Sequence, residues 1–428
     1  MRGAAGRPSR SFYVTLTCLT FLFSNTGNSK EGVTINFINK NPNYNLGQIY
    51  VAFCGLIDPN QLAGTIINGA PLSLGKSYSL TDLQPGIQLT KFIGGRICIA
   101  LGNPFASIKP STGNNPNFNN PSLPDFNLRW DKAEITYNTT DPHSGINLSA
   151  TDFFSVRLQI ETFSQGALVT KLTWRQPIAT VFHAIGVLSS FNKNAVLTDN
   201  TTGVPTDGPN FSKLYVVRII APSTIPAAVN PNPYPSFKDY INHVRANAIE
   251  TNIQGTFNDV TTYEFTAVVD STGALVMTGK ITTSSVPQSH VIVIRANELE
   301  RGIYTANPPI EIDGGPPQEL RNDAFGTAVR DVLAGFNLGF IASNEPNPNA
   351  PGKTFGQSPS FKWYTPKLPH KYDFAGAQPN RPFYNQYAAG LVNPTDAYGF
   401  PYTDLTQSPF AGLKPGTIDR MDITVLPD

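Results

Sequence analysis

From about residue 33 to 174, apolar and polar residues alternate with the period of two that half-buried strands require. "GVTINFINK" (32–40), "QIYVAFCGL" (48–56), "IQLTKFIGG" (87–95) and "RICIALG" (96–102) are rich in β-branched and aromatic residues. Gly, Pro and Asn separate them, which predicts strands joined by turns. "DKAEITY" (131–137) and "INLSATDFF" (146–154) read as a hairpin, and "SVRLQIETF" (155–163) and "ALVTKLTW" (167–174) continue the pattern. Residues 103–127 hold too many Pro and Asn to extend a sheet. A loop of that length is more often functional or mobile than a plain connector.

After residue 175 the period changes. "QPIATVFHAIGVLSSF" (176–191) has helical spacing, with Pro177 suited to a first turn. "YPSFKDYINHVRANAIE" (234–250) puts Phe237, Tyr240, Ile241, Val244 and Ala248 on one stripe, and 317–341 reads as another amphipathic helix. Strands are predicted at 213–220, 262–270, 274–282, 289–296 and 421–427, and a Pro/Asn/aromatic-rich stretch fills 344 to about 394. The expected class is mainly β with an α+β part. A β domain over 30–178 and 390–428 would be interrupted by a mixed α/β domain at 179–389.

Arg2, Arg7 and Arg10 precede the apolar run "FYVTLTCLTFLF" (12–23) and a small polar stretch, the layout of a secretion signal over 1–29. The protein is expected to be secreted, extracellular or periplasmic. Cys54 and Cys98 then remain, either as a disulfide or as two buried thiols acting as small hydrophobes. A net charge of +1, with 31 Lys and Arg against 30 Asp and Glu, offers no field for nucleic acid or anionic lipid. A neutral, aromatic-rich surface suits an uncharged partner such as sugar.

No GxSxG, Walker, HExxH or CxxC pattern occurs, and the five histidines lack ligand-like spacing, so no metal or cofactor is expected. Carboxylates remain. Alternation puts Lys132, Glu134, Thr136 and Asn138 on one strand face, with Ala133, Ile135 and Tyr137 opposite. Glycosidic hydrolysis needs one carboxylic acid to protonate the leaving oxygen and a second carboxylate to activate water or attack the sugar. Glu134 and Asp152, cross-strand or diagonal neighbours roughly 5–10 Å apart, fit either geometry. Equally, Glu134 could pair with Lys132 or Arg129 and Asp152 could cap a strand end.

"DKAEITY" with "INLSATDFFSV" resembles the paired signature of glycoside hydrolase family 64, the thaumatin-like endo-β-1,3-glucanases. "FIGGRICIALGNP", "NNPSLPDFNLRWDKAE" and "AYGFPYTDL" (397–405) resemble further family elements in the same order. The resemblance implies a thaumatin-like β-sandwich or barrel domain and a mixed α/β domain facing each other across a wide groove. It implies an inverting endo-glucanase releasing short oligosaccharides, with Glu134 as general acid and Asp152 as general base. Asp125, Thr136, Asn147, Ser149 and Asp404 become candidates for polar contacts to β-1,3-glucan, and Tyr398, Phe400 and Tyr402 for aromatic platforms. Thr403 stands where the family usually has an acid, and loop 139–146 lacks the bulky aromatic expected near the sugar. The expected partner is β-1,3-glucan, with no nucleic acid or membrane, bound by a monomer. The alternatives are a non-catalytic glucan-binding protein of thaumatin-like form, and a structural or defence protein acting on proteins or membranes. Balanced charge argues against the last.

Overall fold

A computed structural model describes residues 32–55, 58–67, 69–109, 113–363, 373–401 and 409–428. The predicted signal, Tyr402, Thr403 and Asp404 lie outside them. The first third forms strands β1 (Val33–Asn39), β2 (Ile49–Cys54), β3 (Leu62–Ile66), β4 (Ser77–Ser79) and β5 (Ile87–Leu101). It continues with β6 (Arg129–Asn138), β7 (Gly145–Leu148), β8 (Phe153–Phe154), β9 (Leu158–Ser164) and β10 (Ala167–Leu172). One large sheet runs β10, β9, Arg420–Val425, β1, β5, β6, β7 and Ala411–Gly412, with β2 and β3 added alongside β5 and β4 paired to β2. Ala411–Gly412 comes back against β9 and β10, so the sheet curls into a nearly closed barrel. The protein is mainly β, as its alternation predicts.

Alternation decides which side faces inward. Val33, Ile35 and Phe37 of β1 and Ala133, Ile135 and Tyr137 of β6 are buried in the core, while Glu134, Thr136 and Asn138 are partly exposed. Strand β6 changes character along its length: Arg129 to Ala133 are buried on both faces. The two strands expected at 87–95 and 96–102 are one 15-residue strand. Gly94 and Gly95, which read as a turn, form a bulge where the β5–β6 register shifts. A side chain at Gly95 would fall 2.1 Å from the Phe92 ring, so only glycine fits under it.

Cys54 and Cys98 are joined as a disulfide between β2 and β5, which settles the alternative left by the sequence. β8 leaves the large sheet: Phe153 and Phe154 pair with Ile220 and Ile219 of strand Lys213–Ile220 in a second, four-stranded sheet. A third sheet of five strands spans Thr251–Ile312 and packs against helix Ala324–Leu338. Helices at Ile178–Leu188 and Lys238–Ala246 also follow the predicted stripes. Helix Ala296–Thr305 and strand Thr251–Phe257 were not predicted, and no side chain caps the helix start at Arg295.

Loop 103–127 is anchored, not free. Phe105 packs edge-on against Trp130, and Phe118 stacks on Phe153 with centroids 4.8 Å apart. Arg218, fully buried on strand Lys213–Ile220, donates to the carbonyls of Phe118, Phe126 and Leu128. Three backbone carbonyls are thereby satisfied by one side chain.

Asp331 is buried in helix Ala324–Leu338, where it accepts from Tyr263 Oη at 2.8 Å and bonds Ser360 Oγ at 3.0 Å. Burial outweighs these bonds and pushes its carboxyl up to about 6, well above the ordinary aspartate range. The folded state thus binds a proton between pH 4 and 6 that the unfolded chain does not, so this group's contribution to stability falls as pH rises through that window. Relative to Asp331→Asn, the parent should gain about 2 kcal/mol on going from pH 7 to pH 4. Urea unfolding of both proteins at the two pH values measures it.

Candidate active site

The strand carrying Glu134 is flanked by two that face it in register. Arg96 of β5 lies opposite Glu134, and Asn147 of β7 lies opposite it on the other side. The Gly94–Gly95 bulge immediately precedes Arg96, and Gly94 N–H donates to Thr136 Oγ1 at 3.1 Å. Asp152 arrives differently from the expected hairpin. β7 ends at Leu148, and Asp152 stands in the bend between it and β8. Its chain is turned there because Ser149 bridges to Tyr398 and Phe153 departs for the second sheet. Cross-strand pairing therefore does not bring the two acids together.

Arg96 does. Its Nη2 donates to Glu134 Oε1 at 3.1 Å, and its Nη1 lies 3.1 Å from Asp152 Oδ2. Oxygens gripped by one planar guanidinium are within about 9 Å of each other. The second contact lacks hydrogen-bond alignment, leaving Asp152 Oδ2 with charge partners but no hydrogen bond. Lys132 Nζ stands 3.9 Å from the same oxygen. All three acid-site side chains are partly solvated, at 24% for Arg96, 29% for Glu134 and 21% for Asp152, whereas Lys132 is at 0%.

Burial pulls the Lys132 ammonium below the ordinary lysine range, against the opposing pull of Asp152 and Asp131. The Asp131 carboxyl, also buried, is pushed up by desolvation, opposed by Lys132 and by N–H groups of Ser155, Lys132 and Val156. The sequence singled out neither Arg96 nor Lys132 as a partner of Asp152. Glu134 pairs with Arg96 and not with Lys132 or Arg129; Arg129 is engaged by Asp428 at 2.7 Å.

Beside this cluster lies an open depression of about 380 Å³, lined by Arg96, Asn115, Glu134, Thr136, His143, Asn147 and Phe410 among others. Asn147 has a buried amide oxygen with no hydrogen-bond partner in the protein. Phe410, half exposed, lies over Gly145, where a Cβ would meet its ring at 1.8 Å. The aromatic missing from loop 139–146 is thus supplied by a residue distant in sequence. A depression of about 500 Å³ on the five-stranded sheet also holds two carboxylates, but each is engaged by its own basic side chain: Glu264 by Lys280 and Asp313 by His290. Among the described residues, no three His, Cys, Asp or Glu side chains gather as metal ligands would.

A sequence model of the glycoside hydrolase family 64 β-1,3-glucanases matches residues 19–418. The chain belongs to family 64. It is a glycoside hydrolase whose substrate class is β-1,3-glucan. Its fold is similar to a family 64 β-1,3-glucanase domain from Clostridium beijerinckii, with TM-score 0.55 and 17% identity over 92% of this chain and 98% of that one. It is equally similar to a laminaripentaose-producing β-1,3-glucanase crystallised with laminaritetraose, with TM-score 0.55 and 18% identity over 93% and 99%. No curated protein matches the sequence.

The other residues expected at the hydrolase site divide clearly. Thr136 and Asn147 line the depression with Glu134. Ser149 is buried, its hydroxyl bonded to Thr151 Oγ1 at 2.9 Å and its carbonyl taken by Lys132. Tyr398 and Phe400 are buried in the core and offer no open ring to a sugar, with Tyr398 extending the pairing of Leu148 and Ala150. Asp125 also faces inward: its carboxylate accepts from Ala106 N at 2.8 Å, Ser107 N at 2.9 Å and the Ser107 hydroxyl, tying the two ends of loop 103–127 together. Hence Asp125→Asn should lower stability by about 1–3 kcal/mol while leaving KM for laminari-oligosaccharides unchanged. Thermal unfolding and initial-rate kinetics test this; a raised KM at unchanged stability would return Asp125 to the substrate.

Proposed function

We propose that the protein is a secreted, endo-acting β-1,3-glucanase that hydrolyses with inversion and releases short oligosaccharides. The observation that carries this reading is the pair Glu134 and Asp152 held on one guanidinium beside an open, aromatic-edged depression. Glu134 gives its proton to the leaving glycosidic oxygen. Asp152 takes a proton from a water whose oxygen bonds the anomeric carbon on the opposite face of the ring.

The assignment of roles follows from access and from the cations. Arg96 contacts both acids and Lys132 acts on both. Glu134 lines the open depression, where a leaving oxygen can reach it. Asp152 has the buried Lys132 ammonium beside it, a cation that favours the carboxylate form a base needs. Oxygens within about 9 Å of each other leave room for the roughly 6.5–9.5 Å of an inverting pair and for the roughly 5–5.5 Å of a retaining one, so the anomeric form of the first product decides between them. The barrel-like sheet is read as the thaumatin-like domain and the later sheets as the second groove wall. The basic, then apolar, N-terminus and the Cys54–Cys98 disulfide both favour export to an oxidising compartment.

Glu134→Gln and Asp152→Asn should each lower the release of reducing sugar from laminarin or curdlan by at least about a thousandfold, with binding to insoluble glucan kept. NMR of the first product should show the α-anomer. A β-anomer as first product would mean retention, and full activity in both variants would remove the acid pair from the mechanism. Phe410→Ala is expected to raise KM several-fold with kcat little changed, as loss of a surface against which sugar C–H groups pack would do. A kcat loss at constant KM would place Phe410 elsewhere in the mechanism.

A further inference from the structure

Lys132 is the one lysine among the largest fully buried side chains. An isolated ammonium is costly to bury, so its surroundings must compensate the lost hydration. Its Nζ donates to Ser149 O at 3.2 Å and to Phe153 O at 3.3 Å, the carbonyls that bracket the turn carrying Asp152. The Phe153 ring lies 4.1 Å from the ammonium, and Asp152 Oδ2 completes its surroundings at 3.9 Å. Lys132 sits on the same strand as Glu134, two residues away and on the same face. One side chain thus ties the turn bearing one carboxylate to the strand bearing the other.

We propose that Lys132 is a positioning residue for glucan hydrolysis: its ammonium locks the Ser149–Phe153 turn and holds Asp152 beside a buried positive charge at a set distance from Glu134. This rests on the acid and base roles assigned above. The neighbouring Asp131 extends the clamp, accepting from Ser155 N at 2.8 Å and Val156 N at 3.1 Å, so the segment 149–156 is held at both ends by adjacent residues of β6. From the other side, Ala221 N and Thr224 Oγ1 hold the Asp152 carbonyl at 2.9 Å and 2.6 Å. The charged and titratable groups around Asp152 are Arg96 from β5, Lys132 with Asp131 and Glu134 from β6, and Tyr387 from helix Gln386–Val392. Lys132 is the cation among them that has no access to solvent.

Lys132→Gln retains a donor for one carbonyl and removes the charge; Lys132→Arg retains the charge. For Lys132→Gln, kcat should fall about tenfold or more with KM nearly constant. The acidic limb of the kcat/KM profile should move up by roughly half a pH unit or more, because the base loses a cation that favours its ionised form. Lys132→Arg should restore the acidic limb. A uniform loss of activity with the limb unmoved, or an unchanged kcat, overturns the proposal. If Lys132→Gln does not fold, Lys132→Arg decides: an acidic limb in place, with kcat at or below the parent value at constant KM, supports the positioning role, and an acidic limb displaced although the charge is kept overturns it. Asp152→Asn separates the two levels. If it is inactive while Lys132→Gln has the parent profile, only the Lys132 role fails; if it is active, the acid–base reading fails first.

Discussion

Two carboxylates brought close together repel, and Glu134 and Asp152 stay together because Arg96 places a positive charge on both. Much of the surrounding structure serves that contact. The Gly94–Gly95 bulge directly precedes Arg96, and Phe92 fixes the bulge by covering Gly95. The Cys54–Cys98 disulfide brackets the same point, since Cys54 is the register partner of Arg96 and Cys98 lies two residues along β5. Even the strand exchange at Phe153 contributes, because it turns Asp152 back toward β5 and does not let it continue along β7.

Behind this partly wet contact is a dry one. Phe153 carries Lys132 on its ring at 4.1 Å and Arg218 at 5.2 Å, and Trp130 and Phe118 pack against it. Lys132 and Arg218 are both buried, and burial lowers both, Arg218 to about 9. Each is used to satisfy backbone carbonyls: Lys132 those of the Asp152 turn, Arg218 those of loop 103–127. The loop and the base-bearing turn thus share one aromatic core. This shared core anchors the described parts of a Pro- and Asn-rich segment that has no strand or helix of its own.

Much of this was legible in the sequence. Period-two alternation located most strands, and the apolar stripes located three helices, because both patterns follow from which face meets the core. Glu134 was recognisable as an acid on the polar face of β6, and the family motifs supplied its pairing with Asp152. Inferences that needed partners distant along the chain were the hardest to make. Gly94–Gly95 looked like a turn because nothing local reveals that Phe92 covers it. Asp125, Ser149, Tyr398 and Phe400 were expected at the sugar, yet their neighbours draw them inward. Phe410 reaches the depression only because Gly145, 265 positions earlier, leaves room for its ring. Arg96 was visible within a family motif, but its two partners depended on strand order.

The large sheet places its earliest strand, β1, between β5 and Arg420–Val425, to which it pairs in parallel from Thr34↔Arg420 to Asn39↔Val425. Contacts this distant along the chain are slow to form, since nearly the whole polypeptide must be closed into a loop first. During synthesis the barrel therefore stays open along one edge until residues 420–425 emerge, with β1 and β9 presenting unpaired backbone in the meantime. The topology itself discourages premature closure. It also assigns a quality-control role to the far end of the sequence. A chain cut short before residue 420 would lose its central staple as well as its last strand, and the seam left behind would be open to pairing with another copy.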